Sequence, residues 1–173
     1  MGVNRVRTMG ESDAIRVRGL AAVAIAVCWI ALPAAQTRID GVLLKFGGDI
    51  ITDSDVRQAR VLKLVDAAND SDQAYVDALV DRRLMLAEIR RSPPSEPSAA
   101  AIDAKRRQWE ARLGAGADAA ALLARAGLTD AGLRGWLRDD LRIQSYLDQR
   151  FTSDRDRGVT AWLGELRRRA GLK

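Results

Sequence analysis

The chain is 173 residues long, 47% hydrophobic, 29% charged and only 5% aromatic, with a formal net charge of +5, one cysteine and no histidine. Length and apolar content fit a single folded domain rather than a disordered chain. Without histidine there is no imidazole acid or base, no Ser-His-Asp or Cys-His pair and no ordinary zinc ligand set, so most catalytic classes are excluded at the outset.

The first segment in chain order is residues 1–35. Arg5, Arg7, Arg16 and Arg18 precede a 13-residue apolar run, Leu20 to Leu32, which ends at Pro33 and the small residues Ala34 and Ala35. A basic stretch, a short apolar run and a small-residue site describe a secretory signal peptide. The run is shorter than the roughly 20 residues that cross a bilayer, so no stable membrane insertion is expected after cleavage. Val27 before Cys28 argues against lipidation. Cleavage would remove the only cysteine, leaving a chain with no thiol nucleophile, disulfide or thiolate metal site. Taking the leader's four arginines and two carboxylates from the 28 basic and 23 acidic residues leaves a net charge of +3. That is too mild for a domain built to neutralise phosphates, and no nucleic-acid partner is expected. The expected location is the periplasm, with residues 36–173 as the mature domain.

One β element follows. Val42-Leu43-Leu44-Lys45-Phe46 and Ile50-Ile51 flank Gly47-Gly48-Asp49, a glycine-containing loop between apolar runs that predicts a hairpin within 38–52. Thr52 or Asp53 can cap the next helix, with Val56 and Ala59 on its inner face. Asp70-Ser71-Asp72 caps a helix over 72–91 whose apolar residues lie nearly all round, which predicts a central, mostly buried position. Its Asp81 and Glu88 read as a solvated edge.

Prolines 93, 94 and 97 stop that helix. A third helix is predicted over 98–113, with Ile102, Trp109 and Leu113 on one side and an Asp103–Arg107 pair on its surface. Gly114-Ala115-Gly116 ends it, and a short helix spans 118–126. Thr129 caps the longest one, 129–151. Leu133, Trp136, Leu137, Leu141, Ile143, Leu147 and Phe151 share an arc of about 160° on that helix. Asp140 falls inside the arc, either paired in the interior or snorkelling at its edge. A last helix, about 157–170, presents Val159, Trp162, Leu163 and Leu166 on one face, with Glu165 spaced to pair Arg169.

Chemistry-bearing constellations are thin. Asp49, Asp53 and Asp55, and likewise Asp66, Asp70 and Asp72, lack the glycine and terminal glutamate of a calcium loop. Neither Gly47-Gly48 nor Gly114-Ala115-Gly116 has phosphate-loop or dinucleotide spacing. No cofactor, metal or enzymatic activity is therefore expected. What remains is apolar surface. Trp109, Leu113, Trp136, Tyr146 and Trp162 are the candidate peptide-binding residues, with core packing as the competing fate of each.

The run from Asp40 to Val56 resembles the start of the SurA-type periplasmic chaperones: an aspartate, a hydrophobic run, a small turn, further hydrophobics and a Ser-Asp-hydrophobic helix start. Two later stretches add to it, Ala78 to Glu88 and Gly127-Leu128-Thr129 with the helix beyond. Together they cover about residues 38–152. In that family a parvulin-type isomerase domain follows, yet only 22 residues remain after Phe151. Those residues resemble the family's C-terminal helix, which packs back on the N-terminal domain.

The resemblance implies a mostly α, single SurA-N-like helical domain with a short N-terminal β-hairpin and a C-terminal helix returning to it. It also implies an ATP-independent holdase for unfolded envelope or outer-membrane proteins, without isomerase activity. The rival expectation is a structural module of the cell envelope, partnering a second copy or another protein.

Overall fold

The computed structural model describes residues 40–172; the signal-peptide reading concerns residues outside that range. The described chain is mostly α: a two-stranded antiparallel hairpin, β1 (Val42–Phe46) and β2 (Asp49–Thr52), and six helices, α1 (Asp53–Val61), α2 (Asp72–Ile89), α3 (Ala99–Leu113), α4 (Ala119–Ala126), α5 (Asp130–Arg150) and α6 (Arg155–Arg169).

The hairpin turns on two residues. Gly47 and Gly48 have φ of +50° and +88°, the type I′ geometry whose twist matches the strands and which glycine adopts without steric cost. Asp49, expected in the loop, instead pairs with Phe46 at the start of β2. Leu43 is the extra residue of a β-bulge between Val42 and Leu44.

The chain then enters α1 through a capping box. The Asp55 N–H donates to Thr52 Oγ1 (3.3 Å) and the Thr52 N–H to Asp55 Oδ2 (3.1 Å). Asp40 closes the same helix end, accepting from the Ser54 N–H (2.9 Å) and the Ser54 hydroxyl. The opening Asp40 and the Ser54-Asp55 pair are thus one mechanical unit, an N-terminal clamp that neutralises free helix donors. Ser71, Ser98, Asp118 and Thr129 cap α2 to α5 in the same way.

Packing follows from which faces are apolar. Phe46 and Ile51 of the hairpin meet Val56 and Ala59 of α1 and Val76, Leu79 and Val80 of α2. A second cluster joins Leu62 and Leu64 to Trp109, Leu123, Leu133 and Leu137. The third gathers Ile89, Ile143, Leu147, Trp162 and Leu166. Helix α2 supplies buried residues to the first and third clusters, which is why its apolar residues encircle it.

Leu166 is 5% exposed. Leu163 packs against the same third cluster, and Ala170 and Leu172 reach the first. The closing helix therefore folds back onto the body. Asp81 and Glu88 do not form a solvated edge. Asp81 receives the Arg167 Nε–H at 2.6 Å, and Glu88 lies 2.8 Å from Arg91 and 3.8 Å from Arg169. Two surface pairings also differ from the spacing rule: Asp103 bonds Arg134 of α5 at 2.8 Å, and Glu165 takes Arg168. In the first, a neighbouring helix brings a guanidinium closer than the one four residues along.

Candidate functional site

The five candidate residues fall at separate places. Trp109 is fully buried, and its indole N–H donates to the Leu62 carbonyl at 2.7 Å. It closes the C-terminal end of α1 and has no face open to a ligand, so it is a core residue rather than part of a groove. Trp162 is also interior, at 8% exposure. Tyr146 lies against it with ring centroids 5.6 Å apart and planes at 30°, and Phe151 approaches it at 5.8 Å with the planes tilted at 54°. Tyr146 departs from the main stripe of α5 because it faces α6, not solvent.

Trp136 is half-buried between the first and second clusters. The Arg82 guanidinium sits 3.7 Å from the centroid of its ring. Arg82 Nη2 also donates to the Trp136 carbonyl and to Asp140 Oδ1, both at 3.0 Å. Asp140 is therefore the paired interior carboxylate. Burial pushes the Asp140 carboxyl up and the Arg82 guanidinium down, each opposed by the attraction of its partner. Both directions say that desolvation outweighs the pairing. Leu113, half-buried, borders a shallow hollow of about 420 Å³ with Ala121 and Leu122. The five residues do not form one groove.

Two members of each carboxylate cluster are paired with an arginine. Asp49 and Asp55 face Arg83 at 3.7 and 3.6 Å, while Asp70 and Asp72 hold Arg60 at 2.9 and 2.6 Å. Among the described residues no group of three or more acids is placed to hold a metal ion. The cleft between the Asp40 clamp and α1, about 580 Å³, is lined by Asp53, Arg57, Arg60 and Asp72, a set of mixed charge in which Arg60 is held by Asp72.

The feature that sequence reasoning missed is the outer face of the hairpin. Val42, Leu43 and Ile50 are 61%, 44% and 40% exposed, the large hydrophobics most open to solvent among the described residues. Ile50 lies opposite the exposed Lys45. On the covered side of the hairpin, Phe46, Leu84 and Leu166 line a recess of about 190 Å³ together with Arg91 and Arg169. The signal was present in the sequence. Val42, Leu43 and Leu44 are consecutive, and a strand alternates its side chains, so a hairpin with one covered face cannot bury all three.

Comparison with known protein families, curated proteins and solved structures finds no match to this chain.

Proposed function

We propose that this protein is an exported, ATP-independent holdase that binds unfolded envelope or outer-membrane polypeptides in extended form along the hairpin. The observation that carries the reading is the exposed apolar face of Val42, Leu43 and Ile50 on a two-stranded sheet. A strand edge offers main-chain hydrogen bonds to any extended segment, and its alternate side chains offer apolar contact that tolerates many sequences. The resemblance of the segment from Asp40 to Val56 to the SurA-type chaperones points the same way. Binding the unfolded state lowers the free concentration available to aggregate, a mass-action effect that needs no nucleotide.

The test is light scattering by a urea-denatured outer-membrane β-barrel protein diluted into buffer with stoichiometric purified protein. Aggregation should slow, and the triple variant Val42→Ser, Leu43→Ser, Ile50→Ser should lose the effect while melting within a few degrees of the parent. Failure of the parent to suppress aggregation overturns the holdase reading and leaves an envelope interaction module. A fully active triple variant overturns the hairpin as its site.

A further inference from the structure

Helices α5 and α6 are joined by Phe151-Thr152-Ser153-Asp154. The β1–β2, α2–α3, α3–α4 and α4–α5 connections each contain glycine or proline. The α5–α6 connection contains neither, and the α1–α2 connection, which also lacks them, is longer. The reversal rests instead on Asp154, held at φ +48° and ψ +52°, a left-handed conformation that is costly for a residue with a Cβ. Asp154 is also the N-cap of α6, yet its side chain makes no capping hydrogen bond, whereas α1 to α5 are all capped.

The turn is tight as well as strained. A Cβ at Gly158 would lie 2.7 Å from Cδ1 of Phe151. The docking of α6, by contrast, is well made. Trp162 and Leu166 enter the cluster of Ile89, Ile143 and Leu147, and Arg167 donates to Asp81 at 2.6 Å and to the Asp77 carbonyl at 3.3 Å. Every one of those partners precedes the turn. An α6 from a second copy would find the same contacts, so opening the turn gives up none of them provided two copies exchange reciprocally.

We propose that α6 exchanges between two copies of this chain, each docking on the other's α2, with Phe151–Asp154 as the hinge. No residue of the hinge forbids a helical or extended course, so α5 and α6 can separate without breaking either helix. A short connection under strain is the setting in which such exchange competes with closure. The acidic Asp77 and Asp81 give the vacated surface of α2 its complement in the incoming Arg167.

Two sets of variants, refolded from urea over a range of concentrations and sized by chromatography with light scattering, test this. The parent should show a dimer that grows with concentration. Asp154→Pro cannot adopt positive φ and should raise the dimer-to-monomer ratio by about tenfold, and Asp154→Gly, which relieves the strain, should lower it comparably. In the second set, Asp81→Arg and Arg167→Asp chains each place like charges between α2 and their own α6. Co-refolded, they should form a 1:1 heterodimer with restored melting temperature, because exchange sets Arg against Asp at both sites. A parent that stays monomeric at every concentration, or a co-refolded mixture with no heterodimer and two separate weakened transitions, overturns the proposal even where the proline variant fails to fold.

Discussion

Trp162→Ala separates a structural tryptophan from a ligand-binding one. Burying about 200 Å² of indole at about 25 cal/mol/Å² is worth about 5 kcal/mol, of which the alanine left behind keeps under about 1 kcal/mol. Lost edge and stacking contacts with Tyr146 and Phe151 add to the cost, and the better helix propensity of alanine returns about 0.5 kcal/mol. The expected destabilisation is about 4 kcal/mol, within the range for large-to-small changes in a packed core. For a domain of about 135 residues the unfolding entropy is roughly 0.28 kcal/mol/K, so the melting temperature should fall by about 14 °C. Circular dichroism melts and urea titrations of parent and variant measure both quantities. Trp162→Phe, which keeps most of the apolar area, should lose less than half as much. A fall of under about 3 °C, with weakened binding of unfolded chains, would show that Trp162 faces a ligand and that α6 does not anchor here.

Three further outcomes follow from the same geometry. Removing one member of the interior pair, by Arg82→Met or Asp140→Leu alone, should cost about 3–5 kcal/mol because an uncompensated charge stays buried, while the double variant should match or exceed the parent in urea denaturation. Trp109→Phe should cost about 1–3 kcal/mol through the stranded Leu62 carbonyl and lost area, and leave suppression of aggregation unchanged per folded molecule. Hydrogen bonds from the Ser54 and Thr52 side chains hold the Asp40 carboxyl below its ordinary value. A carboxylate whose folded pKa is depressed stabilises above the unfolded value of about 3.9, and that contribution is lost as pH falls through the lower folded one. Melts between pH 2 and pH 6 should therefore show a shallower acid limb for Asp40→Asn, and an unchanged limb would remove Asp40 from the clamp.

The helices were legible because their ends are marked by local chemistry. Thr52, Ser71, Asp118 and Thr129 each offer a side-chain oxygen to donors two or three residues ahead, and Pro93, Pro94, Gly114 and Gly127 stop what precedes them. Cap and breaker act within a few residues, so sequence carries them whole. Pairing across the fold is different. Spacing joined Asp103 to Arg107 because the i,i+4 rule knows only one helix, and nothing local shows that α5 will bring Arg134 nearer. Asp81 read as solvated for the same reason, since its partner Arg167 lies 86 residues away.

The proposed binding surface was harder to read because a tryptophan's type does not say which faces meet. Trp109, Trp136 and Trp162 each sit where two clusters or two helices close on one another, the place where a large flat ring fills most volume. Their commitment to packing moves the proposed role in holding unfolded chains from the helices to the hairpin, and that changes the selectivity to be expected. A helical groove reads side chains at i, i+3 and i+4, whereas a strand edge reads every second residue and takes most of its affinity from the backbone. Clients bound at the hairpin should therefore compete through segments of alternating apolar residues. A proline placed within such a segment, which removes a backbone donor and constrains φ, should weaken competition more than exchanging one apolar side chain for another of similar size. Equal loss from both changes would point to side-chain pockets and away from the hairpin edge.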